Sequence, residues 1–303
     1  MKDNRYEQLI ADLRSDYRPQ REWGEGRGIL MVIGHFLVGV AGGTWLMASF
    51  YGVIYGLMVA YVLAALGALV HLMFLGRPER AIKMMRHVRT SWISRGFVGL
   101  SLFLIGGGIY LAITLLGLTG IWRALAVAAN VVASIGTIAI IGYMGFCYTA
   151  SKAIPFWHSP LHPAIYIAFA IRGGIAALLV IGAASGQLAS DWLLQMWTGV
   201  TALVTLFFAL EIQGALSSGN IAAKWSVRDL LAGRLAFSFY GGTLLLGLIV
   251  PVLLLTNSAS NSPVVMAILG VASVSGDFFM KLSTVKAGVY VPLFSPARRS
   301  HAS

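Results

Sequence analysis

The sequence predicts an all-α integral membrane bundle of eight transmembrane helices with both termini cytoplasmic. Three observations predict it: too little charge for a soluble fold, eight apolar stretches of spanning length, and basic residues gathered on one side of them. Of 303 residues, 58% are hydrophobic and 11% charged, with a mean hydropathy of +0.80. Soluble domains carry about 25% charged residues, so lipid is the solvent for most of this chain.

A bilayer core needs about 20 apolar residues per helix. The first segment, near 28–50, follows a charged stretch in which no cleavable signal peptide is expected, because no short apolar run ends at a small-residue site. The second, near 53–75, returns across the membrane to a basic loop. The third and fourth, near 97–118 and 125–148, and the fifth and sixth, near 164–185 and 192–214, follow as further pairs. The stretch 214–236 is of a length to hold a surface helix before the seventh and eighth segments, near 236–256 and 263–283. Backbone groups in lipid must be satisfied internally, which makes the spans helices, and the alternating pattern of a membrane barrel is absent. The organisation expected is therefore an N-terminal segment over 1–27, a transmembrane domain over 28–285 and a tail over 286–303.

Eight crossings bring both ends, the 76–95 loop, the 149–163 loop and the 215–235 loop to one side. That side receives every one of the 22 Lys and Arg except Arg123, on the opposite side, and Arg172, inside a helix. Basic flanks stay in the cytoplasm, which orients the bundle and predicts a bacterial inner membrane. The formal charge of +11 thus reads as topology and not as affinity for nucleic acid. The single cysteine, Cys147, excludes an internal disulfide and a self-contained iron–sulfur cluster, and reads as an apolar filler. Glycines crowd the spans at Gly39, Gly42, Gly43, Gly106 to Gly108, Gly173, Gly174, Gly241 and Gly242, which reads as helix packing without functional content. No Walker loop, dinucleotide fingerprint or HExxH pattern occurs.

Polar groups inside the membrane carry the functional signal, because they are expensive there. His35 lies about two turns into the first span and His71 about one turn from the end of the second. At 1.5 Å per residue the two imidazoles share a depth near the basic side, which suggests one ligand site. These are the two histidines expected inside helices. Tyr143 closes the fourth span nearby, and Tyr148 reads as an interface aromatic. Arg172 and Glu211 are expected to neutralise each other across two helices. Asp277 and Lys281, spaced i,i+4, are expected to form a local pair. Arg172, Glu211 and Asp277 are the candidates for proton transfer. In the loop, Ser91 or Thr90 is suited to cap the third helix, and Arg80 and Arg95 to donate to a carbonyl or carboxylate.

Phe74 to Gly96, FLGRPERAIKMMRHVRTSWISRG, resembles the loop of the NrfD/PsrC/DmsC family, whose form is close to HLGxPxRA followed by TSWxSRE. Gly34 to Leu46, GHFLVGVAGGTWL, is similar to that family's first helix, and Ile154 to Pro163, IPFWHSPLHP, to its loop after the fourth. The resemblance implies a membrane subunit that exchanges electrons and protons with quinone or quinol, of menaquinone or ubiquinone type. It implies no metal in this subunit. The implied partners are an iron–sulfur electron-transfer subunit and a molybdopterin catalytic subunit. By motif it places Arg80, Ser91, Trp92 and Arg95 at the quinone site, with His35 and Tyr143 at the family's polar positions. Two positions depart: Phe74 stands where the DmsC-type histidine precedes LG, leaving His71 one turn deeper, and Gly96 stands where the glutamate follows SWxSR. The charge count puts this face inside, resembling cytoplasm-facing members such as the sulfite dehydrogenase complex. Two other readings stay open from the residues alone. One is a cytochrome b with His35 and His71 as axial haem ligands; the other is a proton-coupled transporter using Arg172 and Glu211.

Overall fold

The computed structural model describes residues 2–15, 17–77, 79–186, 190–256 and 262–291. It contains eight helices long and apolar enough to cross a membrane. A polar helix α1 (Lys2–Arg14) and a short 3-10 turn precede the spans α2 (Ile29–Tyr51) and α3 (Ile54–Leu75). Within the basic loop the chain forms α4 (Glu79–Met85), then the spans α5 (Trp92–Leu115), α6 (Ile121–Thr149), α7 (Leu161–Ala184) and α8 (Asp191–Ser217). The surface helix expected between the sixth and seventh spans is α9 (Ile221–Leu231), capped by Asn220, whose Oδ1 accepts from the amides of Ala222 and Ala223. The seventh span is π-helical over Ser238–Ile249 and continues as α10 (Val250–Thr256); α11 (Pro263–Lys286) is the eighth.

The third span begins five residues before its expected start, because Ser91 accepts from the Ser94 amide at 3.3 Å and caps the helix outside the apolar run. Trp92 and Arg95 are therefore helical. Leu161–Ala184 likewise starts earlier than expected, which puts His162 in the first turn of α7 and makes it a third helical, buried histidine. Hydropathy alone places a helix start too deep, since the first turn at an interface tolerates polar residues.

The two most enclosed helices are α2 and α7, which cross at the middle of the bundle. A Cβ at Gly43 would lie 1.7 Å from the Ala170 carbonyl oxygen, and one at Gly174 2.2 Å from the Gly43 carbonyl. Backbone meets backbone there, the contact that small residues permit in lipid. Around this axis α3 and α5 lie on the α2 side, α6 packs on both central helices, and α8, the π segment and α11 lie on the α7 side.

Both described ends lie on one face. Pro19 and Val289 form an antiparallel bridge in which the Gln20 amide donates to the Gly288 carbonyl (2.7 Å) and the Tyr290 amide to Arg18 (2.9 Å). Val291 N–H reaches the Ala153 carbonyl at 3.0 Å, Trp157 Nε1–H the Thr284 carbonyl at 3.0 Å, and Arg234 the Lys286 carbonyl at 2.7 Å. The N-terminal segment, the α6–α7 loop, the end of α9 and the end of α11 thus form one hydrogen-bonded layer. Tyr148 belongs to its underside and is not an interface aromatic. It is 1% exposed, packed on Trp157 and Tyr166 with ring centroids at 4.9 and 5.4 Å. Pro78, and the tail beyond residue 291 with Arg298 and Arg299, lie outside the described residues.

Candidate functional site

His35 and His71 meet one to two turns below the basic face. Their ring centroids are 4.8 Å apart, and Tyr143 from α6 stands edge-on to His35 at 5.8 Å. His71 Nδ1 is 2.7 Å from the Gly67 carbonyl, so Nδ1 carries the proton and Nε2 is left as an acceptor. Tyr143 Oη approaches that Nε2 at 3.5 Å, too long for a strong bond. His35 Nδ1 is buried with no partner. The cluster therefore offers an acceptor, a hydroxyl and an uncommitted imidazole nitrogen at one depth.

Two glycines make room for it. A Cβ at Gly34 would sit 2.8 Å from the His71 ring, and one at Gly96 2.2 Å from Tyr143 Cδ2. The ring of Tyr143 thus occupies the space that a side chain at position 96 would need. Gly96→Ala is expected to push Tyr143 off His71 and to cost about 1–3 kcal/mol by overpacking. Thermal unfolding in detergent checks this, with Gly96→Ala/Tyr143→Leu recovering most of the loss. Gly39 is also more than a packing position: a Cβ there would lie 2.9 Å from Lys281 Nζ.

The loop residues do not converge on the imidazoles. Arg95 donates to the Val88 and Arg89 carbonyls (2.9 and 3.0 Å) and lies 4.1 Å over the Trp92 ring. Trp92 stacks on Phe146 at 4.4 Å, one turn nearer the surface than Tyr143. Ser91 is spent on its cap, and Arg80 is exposed on α4. Arg95, Trp92 and Ser91 thus brace the loop and the start of α5.

Two further polar clusters lie in the other half. Arg172 does not pair with Glu211. It pairs with Asp277, donates through its second Nη to the Gly247 carbonyl, and through Nε to Thr201 Oγ1 at 3.0 Å. Asp277 accordingly turns to Arg172 and forms no pair with Lys281, while Asp277 Oδ2 and Thr243 Oγ1 are buried without partners. An apolar cavity of about 170 Å³ adjoins them, lined by Arg172, Thr201, Thr243 and Gly247. The π-helical geometry presents the Gly247 carbonyl to the guanidinium, a local departure of the kind found at functional sites. Glu211 bonds instead to His162 Nδ1 and Ser159 Oγ, both at 2.9 Å. Sequence reasoning missed His162 because it sat in the expected loop; the closing HP of SPLHP, with Pro163 in the first turn of α7, was the available signal of a helix start. Among the described residues no three His, Cys, Asp or Glu converge as metal ligands would.

The family model described as polysulphide reductase, NrfD, matches residues 24–292, a range that takes in all eight spans. The chain belongs to the NrfD family. A comparison with curated proteins finds no match. In this NrfD-family membrane protein the two imidazoles and Tyr143 lie together, and Gly96 leaves the space that the tyrosine ring occupies.

Proposed function

We propose that this NrfD-family chain is the membrane subunit through which the quinone pool exchanges electrons and protons with an iron–sulfur/molybdopterin oxidoreductase. The observation that carries the proposal is the His35–His71–Tyr143 cluster, in which one imidazole nitrogen is buried and unpartnered beneath a basic loop. The donor set suits a ring bearing two oxygens that alternate between carbonyl and hydroxyl. His71 Nε2 accepts from a hydroxyl, His35 accepts from a hydroxyl or donates to a carbonyl, and Tyr143 is the hydroxyl placed to hold the far oxygen. A neutral imidazole accepts a proton and the resulting imidazolium releases it without leaving its site. Quinol, when bound, supplies two electrons and two protons; the chain orients the ring and takes the protons. A partner docked over α4, where Arg80 is exposed to meet a carboxylate, would hold the iron–sulfur cluster that accepts the electrons. Arg172, Glu211 and Asp277 are the further groups assigned to proton transfer.

By its charge asymmetry the basic face is assigned to the cytoplasm of a bacterial inner membrane, as in cytoplasm-facing family members. A haem between His35 and His71 is disfavoured, because rings 4.8 Å apart leave no space for a macrocycle. In the transporter reading Arg172 and Glu211 work together, which their separate partners, Asp277 and His162, do not support.

Quenching of tryptophan fluorescence by menadione or decylubiquinone in the purified full chain, held in nanodiscs, tests the site. His35→Ala and His71→Ala are each expected to weaken binding by about tenfold, the worth of one good buried hydrogen bond. Binding unchanged in both variants rejects the site. Purification in mild detergent is expected to bring an iron–sulfur protein with it.

A further inference from the structure

From beside the imidazole pair to the basic face runs a row of buried polar groups that quinone binding does not use. Lys281 of α11 is 4% exposed, its Nζ 5.5 Å from the Tyr166 ring centroid and 5.7 Å from that of Phe36, the neighbour of His35. Gly39, one turn from His35, leaves the space that this ammonium occupies. Tyr166 of α7 stacks on His162 with centroids 5.9 Å apart. His162 binds Glu211, which lines a cavity of about 350 Å³ together with His158, Ser159, Ser218 and Asn220. The loop and α9 residues of that lining belong to the basic face, so the cavity is its inlet. Asp277 and Arg172 flank the row but are spent on each other.

Along this row three buried polar atoms have no protein partner: His35 Nδ1, Tyr166 Oη and His162 Nε2. An orphaned polar atom in a membrane interior is costly, and internal water is its usual partner. Successive titratable or hydroxyl groups with water between them form a path along which a proton moves by exchange.

We infer that Lys281, Tyr166, His162 and Glu211 form the proton route between the imidazole pair and the cavity at the basic face. The inference rests on the quinone reading. When a quinol is oxidised it loses two electrons to the partner's iron–sulfur cluster and two protons to His35 and His71. Those protons leave through Lys281, the Tyr166 hydroxyl, His162 and the Glu211 carboxylate into the cavity, and the direction reverses when a quinone is reduced.

The test uses native membranes carrying the full chain with its partners, following oxidation of decylubiquinol or menadiol with ferricyanide as acceptor, per assembled complex. Glu211→Gln and His162→Phe are expected to slow turnover by about a hundredfold, the low end for loss of a proton-transfer group. The solvent isotope effect should rise, binding of the quinone analogue should stay at its wild-type strength, and Glu211→Asp should restore most of the rate. Acetate added to the buffer is expected to rescue Glu211→Gln, because a small acid entering the cavity can stand in for the carboxylate. Wild-type turnover in Glu211→Gln and His162→Phe overturns the route. So does slowed turnover with an unchanged isotope effect and no rescue by acetate, which marks a structural role. Failure of the quinone reading shows elsewhere, as analogue binding that His35→Ala and His71→Ala leave intact.

Discussion

Arg172→Met is expected to destabilise the folded chain by about 3–5 kcal/mol, the range for stripping a buried charge of its partner. The guanidinium is 3% exposed and is shared among Asp277, the Gly247 carbonyl and Thr201, with the Trp197 ring 5.5 Å away. Without it the Asp277 carboxylate, itself 1% exposed, faces the bundle interior with both oxygens unpaired, and Gly247 loses the donor on its carbonyl. Lys281, although only one turn along α11, does not pair with Asp277 and offers no ready replacement. Removing both charges is a different experiment. Arg172→Met/Asp277→Leu is expected to regain most of the lost stability, since well-packed apolar residues replace a buried pair at little net cost. The difference between the single and double variants measures the coupling. Denaturant-induced unfolding in mixed micelles reads it, and a single variant as stable as the wild type would refute the expectation. The double variant also separates stability from proton transfer. Wild-type quinol turnover in it would remove Arg172 and Asp277 from the proton machinery and leave Glu211 as the carboxylate that matters.

The second large effect is steric. Gly43→Ala and Gly174→Ala are each expected to cost at least about 3 kcal/mol, at or beyond the upper end for overpacking. The reason is the identity of the atom in the way. The new methyl of Gly43→Ala meets the Ala170 carbonyl, and that of Gly174→Ala meets the Gly43 backbone, so no side chain can swing aside. The two central helices must separate, and every contact across the middle of the bundle weakens with them. Gly199 and Gly241 are the controls, because a Cβ at either meets nothing within 4 Å. Alanine there is expected to be neutral or to stabilise by up to about 1 kcal/mol through the lower flexibility of the unfolded chain. Thermal unfolding of the four variants in detergent orders them, and equal midpoints would show that the α2–α7 crossing is looser than its backbone contacts imply.

These glycines show where reading residues in order stops being informative. As letters, Gly43 and Gly241 are the same packing signal, and Gly96 is only a replaced glutamate. In three dimensions Gly43 sets a backbone crossing, Gly241 touches nothing, and Gly96 gives Tyr143 its place against His71. The charged groups behave alike. The expected Arg172–Glu211 and Asp277–Lys281 pairs were reasonable by depth and by spacing, yet each acid found a different partner. Asp277 reaches Arg172 across 105 positions of chain, and Glu211 reaches His162 across 49. The imidazole pair was legible because two helices joined by a short turn must lie side by side, so depth alone brings His35 to His71. Tyr143 followed from its position at the same end of α6. Ser91, Trp92 and Arg95 were legible as a motif, but their work as a brace was not, because the groups they hold are backbone carbonyls of the loop itself.

The sequence by itself determined the number of spans, the common face of both ends, the one-sided charge, the family and the shared depth of His35 and His71. All of these are properties of a single helix measured against an apolar solvent, which acts on every segment in the same way. Only the tertiary structure decided which face of each helix turns inward, and hence who pairs with whom. Lipid is as apolar as a leucine side chain, so an apolar helix carries little pattern to say which way it faces. Helix rotation is set by dispersion and close backbone approach at a few small residues, and those contacts exist only once the neighbours are in place.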